Sequence, residues 1–353
     1  MTTSTTAVNE LAAAKAGAGL SIIVPVYNEA TGLRSLHDRL AGIGSRLAFE
    51  RGLACEIVYV DDGSRDASLE VARGLPARGV DVQVVSLSRN FGKEAALLAG
   101  LDHARRGAVL FIDADGQHPP DLIARLVGHW LDGGYDVVYT AKASRTNESI
   151  ARRLGVLAFY ALINWGARQR IPEDAGDFRL LSPRAAAALR RLPERNRFFK
   201  GLASWIGFRQ LRVDYEPATR QHGKTSWNFA SLFGLSIEGL TSFSVAPLRL
   251  ASLFGLLLAM GALLFGLWMF IEAFVYERTV PGYPSLIVSV MVIGGVQLMM
   301  IGVMGEYIGK ILSELKARPV YFVAEHTVTP AEPAQDAASP AKDAATTAKD
   351  AAE

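Results

Sequence analysis

Two carboxylates, Asp113 and Asp115, stand two residues apart at the end of the apolar run Val109-Leu110-Phe111-Ile112, with Gly116 and Gln117 directly after them. The run is too short for a helix and suits a strand buried on both faces. Side chains alternate along a strand, so Asp113 and Asp115 are expected on one side and Ala114 on the other. Two carboxylates at one spot repel each other and lose hydration, so a cation belongs between them. A hard divalent ion with oxygen ligands, chelated at the same time by a diphosphate, meets that need. The plainer alternative is a solvated turn closing a strand, with Gly116 making the bend. A lone D-x-D does not choose between these, so the elements around it must.

Those elements repeat one design. Ser21-Ile22-Ile23-Val24-Pro25-Val26-Tyr27-Asn28-Glu29 is a buried strand running out into a polar loop, with a helix expected over residues 31–51. Glu56-Ile57-Val58-Tyr59-Val60-Asp61-Asp62-Gly63-Ser64 does the same, and Ser64 or Asp66 is placed to cap the next helix. A third strand is expected over 82–87, a helix over 92–105 and a fifth strand over 135–139. Strands alternating with helices mean an α/β fold with a doubly wound, mostly parallel sheet, whose ligand lies outside the carboxyl ends of the strands. Asn28/Glu29, Asp61/Asp62, Arg89/Asn90 and Asp113/Asp115 all fall at such ends. No G-x-G-x-x-G follows the first strand, which argues against a nicotinamide or flavin dinucleotide and hence against a dehydrogenase.

The totals agree. Thirty-seven basic residues nearly balance 35 acidic ones, so no global field points to nucleic acid. The single cysteine, Cys55, reads as a small buried residue at the head of a strand in a reducing compartment. Residues 1–19 look like a flexible arm, and residues 325–353, rich in Ala, Lys, Asp and Pro, are expected to be disordered. The apolar excess lies at 248–275 and 285–308, two stretches long enough to span a bilayer of ~30 Å. They form a hairpin within residues 246–310, followed by a return segment over 311–324. Arg249 precedes the pair and Lys310, Lys316 and Arg318 follow it, so the positive-inside rule puts the soluble domain (residues 20–226) and both termini in the cytoplasm. Residues 149–168 and 227–245 read as amphipathic helices lying on the lipid surface. Gly294, Gly295, Gly302 and Gly305 permit close helix packing, within the chain or between subunits. Glu306, costly in lipid, is expected to face protein or water and to pair with Lys310 one turn on.

The ordered motifs Val24-Pro25-Val26-Tyr27-Asn28-Glu29, Val60-Asp61-Asp62-Gly63-Ser64 and Asp113-Ala114-Asp115-Gly116-Gln117 resemble family 2 of the inverting glycosyltransferases, which have the glycosyltransferase A fold. Gly176-Asp177-Phe178-Arg179-Leu180, Arg197-Phe198-Phe199-Lys200-Gly201, Arg220-Gln221-His222-Gly223-Lys224-Thr225-Ser226-Trp227 and Gly305-Glu306-Tyr307-Ile308-Gly309-Lys310 narrow the resemblance to the membrane-bound polyprenyl-phosphate glycosyltransferases, over roughly residues 20–323. It implies inverting transfer of one sugar from a nucleotide diphosphate sugar to polyprenyl phosphate, with UDP-glucose the first choice of donor and GDP-mannose behind it. It implies Mg2+ or Mn2+ on Asp113 and Asp115, with Gln117 as a further ligand. Pro25, Tyr27, Glu29, Asp61, Asp62 and Lys93 would hold the nucleotide; Arg89 lies near the diphosphate path. Asp177 would mainly position the donor sugar. The acceptor is a phosphate monoester with a second pKa of ≈ 6, already mostly dianionic near neutral pH, so a strong general base is dispensable. Cations are what it needs: Arg197, Lys200, Arg220 and Lys224, with Arg179 pairing nearby acids. Gly223 would let the Arg220 loop close over the donor, and relatives suggest a homo-oligomer, a tetramer among them.

Two rival readings fit these residues less well. A processive polysaccharide synthase would carry a Q-x-x-R-W signature and more spans, neither of which is visible. A non-catalytic membrane scaffold or flippase component is disfavoured by intact acids at every strand end.

Overall fold

The computed structural model describes residues 19–142, 175–195, 199–216, 246–275 and 282–331. In chain order the elements are β1 (Leu20–Val26), α1 (Leu33–Arg51), β2 (Cys55–Asp61), α2 (Ser68–Arg73), β3 (Asp81–Leu87), α3 (Lys93–His103), β4 (Ala108–Phe111), α4 (Leu122–Leu131) and β5 (Val137–Lys142). There follow β6 (Ala175–Leu181), α5 (Pro183–Arg190), α6 (Phe199–Trp205), β7 (Gln210–Tyr215), α7 (Ala246–Val275), α8 (Tyr283–Leu315) and β8 (Val323–Thr329). The eight strands make one sheet in the order β7-β5-β6-β4-β1-β2-β3-β8. β1 pairs in parallel with β2 and β4, β2 with β3, and β5 with β7. β6 runs antiparallel between β4 and β5, and β8 antiparallel on the edge of β3.

Strand alternation sorts the core into two layers. Ile22, Val24, Ile57 and Leu110 face α1 and α4, where Leu40, Leu126 and Trp130 meet them. Ile23, Val58, Val60, Val109 and Phe111 face α3, α5 and α6. Each such side chain, taken fully out of water, contributes roughly 1.5–3 kcal/mol before entropy is counted. Covered on both faces, the central strands can be apolar at every position, which is why they read as unbroken hydrophobic runs.

The structure corrects several expectations. The strand before the paired acids stops at Phe111, so Asp113 and Asp115 sit on a turn and not on a strand; Ile112 makes the last bond to β1, to Ile23 O at 3.0 Å. The tail expected to be disordered from residue 325 instead continues the sheet to Thr329, with Val84 opposite Thr327. The fifth strand starts at Val137 and the helix before β4 spans only Lys93–His103. Neither Ser64 nor Asp66 is the N-cap of α2, which is Ala67; Asp66 Oδ1 instead accepts the Ser68 N–H at 3.0 Å.

Within α7 and α8, Leu250–Met269 and Val288–Leu315 have mean hydropathies of 2.3 and 2.0 and are not buried by the rest of the chain. Both are long and apolar enough to cross a membrane. The two helices come close at Gly255, where an added Cβ would lie 2.8 Å from Met300 Cε. An added Cβ at Gly294, Gly295, Gly302 or Gly305 would meet nothing within 4 Å, so these glycines do not mediate packing inside the described chain. Glu306 is exposed on α8.

Candidate active site

A cleft of about 270 Å3 opens at the carboxyl ends of the central strands. The end of β1 and the loop after it supply Pro25, Tyr27 and Glu29, the loop after β2 supplies Asp62, the loop after β3 and the start of α3 supply Asn90 and Lys93, and the loop after β4 supplies Asp113, Ala114 and Asp115. The convergence expected from the strand ends is therefore present, and Ala114 shares the lining because the backbone has already left the strand.

The loops hold one another in register. Asn28 adopts a left-handed backbone with φ of 56°. It donates its N–H to Ser64 Oγ at 3.1 Å while its Oδ1 accepts the Arg65 N–H at 2.8 Å. Glu29 N–H reaches Ser68 Oγ at 2.8 Å. The Asp62 carboxylate accepts the Phe91 and Gly92 N–H groups at 2.7 and 2.9 Å, pinning the β2 loop to the β3 loop. Between them Gly63 has φ of +66°, and a Cβ there would lie 2.6 Å from the backbone of Arg89 and Asn90. Only glycine fits that crossing.

The charged groups form a connected line. Lys93, in the first turn of α3, lies 2.6 Å from Asp113 Oδ1 and 2.7 Å from Asp177 Oδ2. Lys200 on α6 is 3.4 Å from Asp177 Oδ1. On the other side, His118 Nε2 is 3.4 Å from Asp113 Oδ2, and His118 Nδ1 shares a 2.9 Å hydrogen bond with the Tyr215 hydroxyl. Burial works against the ionised form of each acid. For Asp177 the charges of Lys93 and Lys200 outweigh it, and for Asp113 the charge of Lys93 and the hydrogen bond from His118 do, so both titrate below the usual carboxylate range. Burial opposes the Lys93 ammonium too, but Asp177 and Asp113 raise it above an ordinary lysine. Burial pushes the Tyr215 hydroxyl up to about 12, and Asp113, Asp115 and Asp177 add to the rise. Glu94, next to Lys93, accepts the Phe199 N–H at 2.9 Å and is pushed up to about 7, chiefly by burial.

Not every expected residue lines the cleft. Asp61 is buried and both of its oxygens accept the Ser64 N–H at 3.3 Å, so it closes a turn beneath the site. Gln117 gives its N–H to Asp115 Oδ1 at 3.0 Å. Arg179 is buried, donating to the carbonyls of Gly176 and Phe199 at 2.8 and 3.3 Å. Arg89 lies over the Phe91 ring at 4.1 Å. Arg197, Arg220, His222, Gly223 and Lys224 fall outside the described residues, as do the amphipathic segments 149–168 and 227–245. Sequence reasoning missed His118, Tyr215 and Glu94. His118 directly follows the D-A-D-G-Q motif and could have been found; Tyr215 ends a strand with no motif of its own.

Among the described residues no three or more His, Cys, Asp or Glu converge as a closed metal cage. Asp113 and Asp115 are hard oxygen donors on one cleft wall, a donor set that suits Mg2+ or Mn2+ completed by phosphate and water. The residues present fit the group.

A mostly parallel sheet with an acid-lined cleft beyond its strand ends is the glycosyltransferase A arrangement. Residues 21–188 match the family model described as Glycosyl transferase family 2. The chain is 40% identical over 306 residues to a glycosyltransferase of Synechocystis sp., covering 87% of this chain and 95% of that one. It is 40% identical to the bactoprenol glucosyl transferase of Shigella phage SfII, over 86% of this chain and 97% of that one. The prophage bactoprenol glucosyl transferase homolog of Escherichia coli is 38% identical, over 86% and 98%. The chain belongs to glycosyltransferase family 2 and is a glycosyltransferase. Among solved structures it is similar to mannosyl-3-phosphoglycerate synthase from Rubrobacter xylanophilus, at 19% identity and a TM-score of 0.43, over 69% of this chain and 77% of that one. A glucosyl-3-phosphoglycerate synthase from Mycobacterium tuberculosis, crystallised with Mn2+, UDP-glucose and phosphoglyceric acid, is 22% identical with a TM-score of 0.43, over 66% and 81%.

Proposed function

We propose that the protein transfers glucose from UDP-glucose to the phosphate of a polyprenol, undecaprenyl phosphate for the test below, at the cytoplasmic face of a membrane, inverting the anomeric centre. The observation that carries this reading is the juxtaposition of Asp113, Asp115, Lys93 and Asp177 around one nucleotide-sized cleft in a chain followed by two apolar helices. The relatives named bactoprenol glucosyl transferase support the acceptor and the sugar.

In this reading Tyr27, 42% exposed at the cleft rim, stacks on the base, while Pro25, Glu29 and Asp62 shape the pocket around base and ribose. Asp113 and Asp115, with Gln117, would hold Mg2+ or Mn2+, which when bound supplies Lewis-acid neutralisation of the departing diphosphate. Lys93 balances the charge of the acids on either side of it and offers a cation along the diphosphate path. Asp177, kept ionised by Lys93 and Lys200, is a weak base, which favours positioning the sugar hydroxyls over accepting a proton. The acceptor dianion arrives without a proton to lose. Lys200, beside Asp177, is assigned to it, and Arg197, Arg220 and Lys224 complete the set.

α7 and α8 anchor the catalytic domain in the bilayer as a hairpin, with Arg249, Lys310, Lys316 and Arg318 on the cytoplasmic side. The open glycines of α8 suit packing against a second copy, consistent with a homo-oligomer such as a tetramer. Purified full-length protein in detergent, given undecaprenyl phosphate and a panel of nucleotide sugars, should form a lipid-linked hexose from UDP-glucose, detected by mass spectrometry. Formation of no lipid-linked sugar from any donor would remove the proposal.

A further inference from the structure

A second cavity, of about 420 Å3, lies away from the cleft, where α8 ends. Leu312, Ser313 and Gly309 form its helical wall, Lys316, Arg318 and Val320 the wall after the helix, and Arg195 closes it from the catalytic domain. About 20 residues of a helix cross the hydrocarbon, so the last turns of the 28-residue apolar stretch Val288–Leu315, beyond Lys310, stand in the headgroup layer, and the cavity lies there.

The charges here are arranged to receive an anion. The carboxyl end of a helix normally repels one, because its last carbonyls are unpaired and the dipole is negative. Here the Lys316 and Ala317 N–H groups answer Leu312 O and Glu314 O at 3.0 and 3.1 Å, and Arg195 braces the turn beyond the helix. Its guanidinium donates from Nη2 to Ala317 O at 2.9 Å and from Nε to Arg318 O at 2.8 Å. Glu314 accepts the Arg195 backbone N–H at 3.1 and 3.2 Å, which ties the last turn of α8 to the catalytic domain. Ala317 takes a left-handed backbone with φ of 52°, turning the chain sharply so that Lys316 and Arg318 both border the cavity. Both side chains are exposed, and neither forms an ion pair among the described residues.

We infer that this cavity binds the phosphate headgroup of an anionic membrane phospholipid, with Lys316 and Arg318 on the phosphate and Leu312 against the first part of the acyl chains. Arg195 joins the site to the loop that leads into α6, so a bound lipid fixes how the catalytic domain stands on the bilayer. The inference rests on reading α8 as a membrane span, and not on the sugar transfer.

The test is native mass spectrometry of the full-length protein, stripped of lipid in detergent and offered phosphatidylglycerol or phosphatidylcholine. Wild type should retain phosphatidylglycerol in preference. The double variant Lys316→Gln/Arg318→Gln should lose that preference by roughly 30-fold, given about 1 kcal/mol for each of the two basic residues near an anionic surface. Lys316→Arg keeps the charge and should keep the preference, which separates loss of binding from misfolding. Excess inorganic phosphate should leave the lipid bound. An unselective wild type, a double variant that still selects phosphatidylglycerol, displacement by free phosphate, or preferential retention of undecaprenyl phosphate would each overturn the inference. Because the readout is lipid retention, its failure is distinct from a failure to transfer sugar.

Discussion

Lys93 is the residue on which the charge balance of the cleft turns. It is the shared partner of Asp113 and Asp177, and removing it leaves two partly buried acids facing each other. Lys93→Met should lower kcat/KM for the donor by roughly 100-fold while leaving the fold intact, measured by steady-state kinetics and circular dichroism. Glu94 makes a different prediction. Its carboxyl is raised from 4.5 to about 7 in the folded chain, so between those values the native state holds a proton that the unfolded state has lost. Stability linked to Glu94 is therefore fully present below about pH 4.5, falls as pH rises toward 7, and is lost above it. Glu94→Gln keeps an acceptor for the Phe199 N–H and removes the titration. It should raise the unfolding free energy at pH 8 by about 1–3 kcal/mol, seen as a higher Tm, and change it little at pH 4.5. Residues of this kind divide by how visible they are in sequence. Asp113, Asp115, Asp62 and Lys93 were legible because they follow apolar strands at regular intervals. Glu94 and Tyr215 were not, because their importance comes from what the fold brings opposite them; His118 stands beside the acidic motif and was legible by position.

At the scale of elements, the strand-loop-helix units place the chemistry and the loops lock to one another. Gly63 is the tightest of these locks. Gly63→Ala would both strain the backbone and drive a Cβ into the Arg89–Asn90 peptide, so thermal unfolding should show a loss of about 1–3 kcal/mol. The five strands β1 to β5 were readable from apolar runs bounded by polar turns. β6, β7 and β8 were not. β7 has only two buried positions, Val213 and Tyr215, and β8 is half polar, so neither carries a core-strand signature. β8 is held by the edge of β3, by Arg73 paired with Glu325, and by His326 Nε2 hydrogen-bonded to Gln83 Oε1 at 2.9 Å. Composition alone could not reveal a strand whose stability lies in its partners. The same holds for the paired acids: alternation assumed a strand that ends at Phe111, and the turn reached the same cleft by another path.

For the whole molecule, the central question of placement is which side of the membrane each part occupies. Cys55 is the sole cysteine and is buried, so introduced cysteines can be read against a low background. In intact cells a membrane-impermeant maleimide should label Thr279→Cys, between the two apolar helices in sequence, and leave Thr327→Cys unlabelled until the membrane is opened. Labelling of Thr327→Cys in sealed cells would reverse the proposed orientation. The two long apolar helices were plain in sequence because nothing but length and hydropathy is needed to see them; the cavity at the end of α8 was not, since it needs Arg195 brought across from the catalytic domain. All of these features serve one claim, that Asp113 and Asp115 hold a divalent ion which lets a nucleoside diphosphate leave as a lipid phosphate takes the sugar. Product formation from UDP-glucose and undecaprenyl phosphate tests it most directly, with wild type and Asp115→Ala each assayed with Mg2+ or Mn2+ and after chelation. Lipid-linked glucose should form only with wild type and metal together, and formation at the wild-type rate by Asp115→Ala in chelator would contradict the account.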